Sequence, residues 1–247
     1  PGVDYLSQFI YFIDGQAVVD EKVIDQARSI QAFYIKMSKD VYLRKKSAIM
    51  QRMVQKMAHE LIRDGLHISD MWKLTDFGLL GRFELSENLL IKDYYGKLRA
   101  GNFPKIALEF KNEQFLHVNE HRDDKSLDTV GLSAETLDTL LSHHKIVDLN
   151  GLAELEQEIA DIAGIPHKAV IVVPPFSSHR FVPEDVKVYG QGGKIALLSD
   201  YYPQHFAAMT EYGRSHQLLH ICAFQEYRDT LSQNAEEVKN HLMSLLK

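Results

Sequence analysis

The sequence predicts a mainly α chain that turns into α+β: a helical N-terminal half built on a long helix, then a small mixed or antiparallel sheet with packed helices. Three observations predict this. No Gly or Pro falls between Gly15 and Gly65, and apolar residues recur in that stretch at three- and four-residue steps. From Pro104 onward the apolar residues come instead in short β-branched or alternating runs punctuated by Gly and Pro. Amphipathic helical stretches lie between those runs. The change of pattern divides the chain into a helical region, 1–103, and an α+β region, 104–247.

The long helix spans Val23 to Ile62, with Asp20 placed as an N-cap and Gly65 as a left-handed stop. Ile30, Phe33, Tyr34, Met37 and Val41 form its first apolar stripe, and Met50, Met53, Val54, Met57 and Leu61 its second. Its length calls for a break, placed near Arg44-Lys45-Lys46. Before it, Phe9–Ile13 is an apolar run closed by the turn pair Asp14-Gly15. After it, Trp72, Leu74, Phe77, Leu79, Leu80 and Phe83 supply bulk to pack against it, and Ser86–Arg99 reads as a further helix.

In the second region Ile106–Phe110 alternates like a strand, and Gln114–Asp128 is polar. Ser133 caps a helix through His144, and Leu152–Ile162 is a second helix stopped by Gly164 and Pro166. Ala169–Val173, Val186–Tyr189, Lys194–Leu198 and Leu218–Phe224 read as strands of one sheet. Gly190-Gln191-Gly192-Gly193 lies between two of them and does not open a helix, so it is a hairpin tip and not a phosphate cradle. Pro203–Tyr212 and Gln225–Leu246 are the remaining helices.

Composition narrows the function classes. With Lys and Arg at 28 against Asp and Glu at 34, the net charge of −6 gives no electrostatic argument for nucleic acid or anionic membrane, and neither is expected as a partner. One cysteine, Cys222, excludes an intramolecular disulfide framework and a Cys-rich zinc site. It sits in an apolar run, as a buried inert thiol would. No apolar run reaches transmembrane length, and a reducing, cytoplasmic compartment is the expectation.

Ile30 to Met57 reads IQAFYIKMSKDVYLRKKSAIMQRMVQKM. It resembles the helix that follows the catalytic core in HD-superfamily metal-dependent phosphohydrolases of the dNTP triphosphohydrolase type, where the phrase Val-Tyr-x-His-Lys is followed by spaced methionines. Val41, Tyr42 and Lys45 match that phrase, Arg44 stands where it has histidine, and Tyr34 stands where it has a preceding arginine. The similarity continues through Leu74-Thr75-Asp76-Phe77-Gly78-Leu79-Leu80 and fades after Pro104. It implies that this chain is the portion C-terminal to an HD metal core, with that core upstream of Pro1. It also implies a nucleotide substrate, a dNTP, and a divalent metal held by the core of the full-length protein and not by this chain. Tyr42 and Lys45 are the substrate-binding candidates by the same resemblance, and a homo-oligomer is the implied assembly. The alternative is a non-catalytic interaction or regulatory module that kept the scaffold without its metal site.

No His-Asp dipeptide occurs in the sequence, so no catalytic residue is assigned. The densest histidine cluster runs from His117 to Asp124. Its His117, His121 and Asp124 are the metal candidates, set against the plainer reading of a solvated charged loop. His143-His144 falls at a helix end, where imidazoles favour the negative end of the dipole. Lys36, Lys39, Arg44, Lys45, Lys46, Arg52 and Lys56 make the long helix basic, read as a solvated face.

Overall fold

The structure is a computed structural model and describes residues 3–37, 44–116, 127–175, 185–215 and 217–246. It is mainly helical, with two small mixed sheets of four strands packed against helices, as the sequence predicts. The chain forms two compact units, one of residues 1–44 and 176–217, the other of 45–175 and 218–247. Both units are built from segments on either side of residue 103.

The first unit opens with helix α1 (Val3–Ser7) and the strands β1 (Ile10–Ile13) and β2 (Gln16–Asp20). The stretch before the long helix is therefore a β-hairpin and not part of an all-helical half. Asp14 and Gly15 carry φ of 51° and 75°, the left-handed pair that a two-residue hairpin turn requires. Asp20 then caps a short 3-10 turn by accepting from the Lys22 N–H at 2.9 Å, and α2 (Ile24–Met37) follows. The face that α2 buries is Ala27, Gln31 and Ile35, in phase with the fully buried Val23. Ile30, Phe33 and Tyr34, read as the buried stripe, point outward instead. Ala27 belongs to the same small core as Val19, Val23 and Val188.

The second unit takes up the rest of the long pattern. Arg44 is non-helical and α3 (Lys45–Arg63) starts directly after it, at the predicted break. Met53 and Met57 are fully buried, and each such side chain contributes about 1.5–3 kcal/mol. Then come α4 (Ile68–Met71), α5 (Asp76–Glu84) and α6 (Leu89–Arg99). Of the bulky residues placed here, Phe83 is fully buried, whereas Trp72 and Phe77 stand exposed. The central strand β3 (Lys105–Asn112) follows, then β4 (Asp128–Leu132), α7 (Ala134–Leu141), α8 (His144–Val147), α9 (Leu149–Ala163) and β5 (Val170–Val173). Gly151 is obligatory at the α8–α9 junction, since a Cβ there would lie 2.6 Å from the Lys145 Cα. Gly164, at φ 63°, ends α9.

The chain then supplies β6 (Lys187–Tyr189), β7 (Ile195–Leu197), α10 (Leu198–Tyr201) and α11 (Pro203–Ser215) to the first unit. It closes the second with β8 (Leu218–Ala223), α12 (Gln225–Gln233) and α13 (Ala235–Ser244). The closing helix is thus two helices, broken at Asn234.

The strands expected in one sheet belong to two. The first unit has the order β1-β2-β6-β7 and the second β4-β3-β8-β5. The tip Gly190–Gly193 does join β6 to β7 as an antiparallel hairpin. Short apolar strands specify their face but not their neighbour, and here β6 pairs with β2 (Val19 opposite Val188) and β7 with β6.

In the second unit both faces of the sheet are covered. One carries Leu108, Phe110, Val170, Val172, Leu219 and Ile221 against α7, α9 and α13. The other carries Ile106, Ile171, Val173 and Cys222 against α3 and α6. Arg52 and Lys56 of α3 are buried, not solvated. They lie at the free edge of β5, where Arg52 Nε donates to the Val172 carbonyl at 3.1 Å and Lys56 Nζ to the Val170 carbonyl at 3.2 Å. The fully buried Glu156 of α9 accepts from the Val172 N–H at 2.9 Å and from Arg52 at 3.2 Å, and its other oxygen is 2.7 Å from Lys56. These side chains take the place of a further strand. They satisfy the edge and tie helices on the two faces of the sheet together.

Candidate anion-binding cleft

The first turn of α3 holds Lys45 and Lys46 and no acidic residue. Cations at a helix N-terminus face the positive end of the dipole and are disfavoured there unless negative charge lies close by. Within the chain, that charge comes from Glu109 of β3. Its Oε2 is 3.1 Å from Lys45 Nζ and 3.0 Å from His220 Nε2 of β8, and Lys111 Nζ is 3.7 Å from Oε1. Glu109 and Lys111 are alternate residues of one strand, and Glu109 pairs with His220 across the ladder. All three therefore lie on the α3-facing side, beyond the apolar Ile106 and Cys222. Burial would raise the Glu109 carboxyl. The His220 hydrogen bond and charge, with the Lys45 ammonium, outweigh burial and hold it at about 2. Glu109 is thus ionised, and His220 donates to it from Nε2.

Beside this cluster opens a cleft of about 430 Å³. Its wall is made by Lys45, Lys46 and Ile49 of α3, by 101–104 leading from α6 into β3, and by Lys105, Ile106, Leu127 and Arg228. Arg228 reaches it from α12 and is fixed by donating Nε to the Ile106 carbonyl at 2.8 Å. Lys46 Nζ stands 4.7 Å from the centre of the Phe103 ring. Four cations and no carboxylate line the cleft among the described residues, with Ile49, Phe103, Ile106 and Leu127 as apolar wall. Such a site suits an anion that carries an apolar or planar part.

A divalent metal does not fit it. The lining donors are cationic, and the adjacent carboxylate is occupied by Lys45, His220 and Lys111. No group of three or more His, Cys, Asp or Glu among the described residues could hold a metal ion.

Lys45 lies in this cleft, its side chain 21% exposed and paired to Glu109. Tyr42, His117, His121 and Asp124 lie outside the described residues. His143 does not close a helix but begins α8, its Nδ1 accepting from the Lys145 N–H at 3.3 Å. Burial, then the neighbouring His144 and Lys145, lower its pKa, so it is an acceptor at the opposite helix end from the one expected. Cys222 is fully buried and burial pushes its thiol far up, in keeping with an inert residue. Sequence reasoning missed Glu109, His220, Lys105, Phe103 and Arg228. The strand was expected over Ile106–Phe110 with alternating polarity, which would turn Glu109 outward, whereas it runs Lys105–Asn112 with Glu109 and Lys111 both buried.

No family model matches the chain, and no curated protein matches it. Among solved structures it is similar to a phosphohydrolase from Bacteroides thetaiotaomicron, with a TM-score of 0.53 and 13% identity over 91% of this chain and 56% of that one. It is also similar to a hypothetical protein from Aquifex aeolicus, with a TM-score of 0.56 and 15% identity over 94% of this chain and 50% of that one. At these identities the likeness shows the fold alone, a phosphohydrolase-like fold, and the chain spans about half the length of each of these neighbours. No helix among the described residues is long and apolar enough to cross a membrane.

Proposed function

We propose that this chain is the portion of an HD-superfamily nucleotide phosphohydrolase that follows its metal core, forming a wall of the nucleotide site and a regulatory or oligomerisation extension. The observation that carries the reading is the cleft beside Lys45, with four cations, no carboxylate and an apolar wall. The likeness to a solved phosphohydrolase and the motif around Val41, Tyr42 and Lys45 support it. The ligand is a dNTP or a related nucleotide. Lys45, Lys46, Lys105 and Arg228 neutralise its phosphates, and Phe103 and Leu127 cover its apolar part. The divalent metal and the hydrolysis belong to the HD core, because the cleft offers no ligand for the ion. A binding role without turnover follows for this chain alone.

Calorimetric titration with a dNTP, with tripolyphosphate and with a nucleoside tests this directly. The dNTP binds, more weakly as salt rises, and the nucleoside alone does not. Lys105→Glu weakens binding at least tenfold while leaving the melting temperature within a degree or two. Absence of dNTP binding at millimolar concentration defeats the reading. So does release of tripolyphosphate from dNTP by this chain with manganese or magnesium.

A further inference from the structure

Lys45 belongs to two environments at once. It lines the cleft from the first turn of α3, and its Nζ is 3.1 Å from Glu109 Oε2. That same oxygen lies 3.0 Å from His220 Nε2. An ammonium and an imidazole therefore share one carboxylate oxygen, and of the three groups only Lys45 lines the cleft. The ladder explains the sharing. Glu109 and His220 stand directly opposite each other on β3 and β8, so register alone sets their side chains together. Both are buried, at 3% and 6% exposed.

The charged groups gathered at this carboxylate, among the described residues, are Lys45 from α3, His220 from β8 and, on Oε1 at 3.7 Å, Lys111 from β3. The flanking strands place Thr129 of β4 opposite Glu109, Gly131 opposite Lys111 and Val173 of β5 opposite His220, none of which titrates. Arg228 of α12 donates to the Ile106 carbonyl, and Arg52 and Glu156 meet at the edge of β5. With a neutral imidazole, two ammonium groups already face one carboxylate. A positive charge on His220 would share Oε2 with Lys45, and like charges so placed disfavour the imidazolium. An anion in the cleft alters that balance. It offsets the Lys45 ammonium and competes with Glu109 for its protons, leaving His220 as the donor on Oε2. Nε2 already carries the proton of that hydrogen bond, so a further proton goes to Nδ1.

We propose that His220 is a positioning residue of the cleft, acting through Glu109 and Lys45, and that it takes up a proton from solvent when an anion binds beside Lys45. The inference rests on the cleft being an anion site. Linkage is reciprocal: the bound anion favours the imidazolium by the same factor as the imidazolium favours the anion. Affinity therefore rises as pH falls through the titration of His220. Histidine is the side chain that changes charge near neutrality, and no histidine lines the cleft itself among the described residues.

The test uses sulfate, which keeps its charge between pH 5.5 and 8. It is titrated calorimetrically into the 247-residue chain and into His220→Gln at both pH values and constant ionic strength. The wild type binds about fivefold tighter, or more, at pH 5.5. Its His220 imidazole resonance, assigned in the wild type through its own backbone, titrates at higher pH in saturating sulfate. His220→Gln keeps a donor for Glu109 and loses the pH dependence, whereas a histidine of purely structural importance would weaken binding equally at both pH values. The wild-type resonance decides the matter even where the variant does not fold. Equal wild-type affinity at the two pH values, or a His220 titration that sulfate leaves in place, overturns the inference and leaves the cleft reading standing. A pH dependence that persists in His220→Gln overturns it too. So does the absence of sulfate binding, and the dNTP titration then shows whether the cleft reading falls with it.

Discussion

The two sheets have the same number of strands and the same mixed pairing, yet they are held together by different means. In the second unit β5 is buried at every residue, and β3 and β8 at every residue but the first. Apolar layers cover both faces, and a buried ion cluster closes one edge. In the first unit β1 is exposed or half-buried throughout and β7 has no buried residue. One small core of Leu6, Val19, Val23, Ala27, Val188 and Leu198 holds it. Its tertiary polar links include surface ones, Lys187 to Gln16 and Tyr202 to Asp25. The lesson is that strand count and topology do not set stability. Covered area does, and a sheet with one covered face has about half of it to draw on.

The comparison breaks most sharply at Glu156. Glu156→Gln keeps an oxygen to accept from Val172 but leaves Arg52 and Lys56 buried without a counter-charge. A loss of about 3–5 kcal/mol follows, confined to the second unit. Denaturant unfolding that shows wild-type stability for this variant would mean the cluster is open to water.

Acid should then separate the two units. Holding the Glu109 carboxyl at about 2 instead of its ordinary 4.5 contributes about 3 kcal/mol, at about 1.4 kcal/mol per pH unit. Because the folded value is depressed, that contribution is fully present above pH 4.5 and is lost as pH falls from 4.5 towards 2. Glu109→Gln is less stable at pH 7 and loses less on acidification. Parallel pH profiles for the two proteins would refute the assignment.

The smallest effect is expected in the first unit. Val188→Ala removes two methyl groups from a fully buried position on a central strand and costs roughly 2 kcal/mol. Hydrogen exchange sharpens the contrast. The amides of 10–20 and 187–197 lose protection in this variant, while those of 105–112 and 218–223 keep theirs. Equal loss in both sets would show that the units unfold as one.

Local chemistry, read along the chain, determined a good deal about this protein. The stop at Gly164, the turn at Asp14-Gly15 and the Gly190–Gly193 hairpin follow from residues suited to a left-handed backbone, the break at Arg44 from the length of the pattern, and the strand at 218–223 from its apolar run. Such signals act over a few residues and survive any packing. Lys45 could be singled out by a motif, but its cleft could not, because Phe103, Lys105, Glu109, His220 and Arg228 meet only when β3, β8 and α12 are assembled. The division of the strands between two sheets was likewise settled by pairing partners far apart in sequence. The same holds for the outward turn of Phe33, Tyr34 and Phe77. An apolar residue announces that it prefers to be covered, and only the assembled fold decides whether anything in the chain covers it. Arg52 and Lys56 make the converse case. They read as solvated because isolated cations are, and the tertiary structure buried them by bringing Glu156 and the edge of β5 within hydrogen-bonding distance.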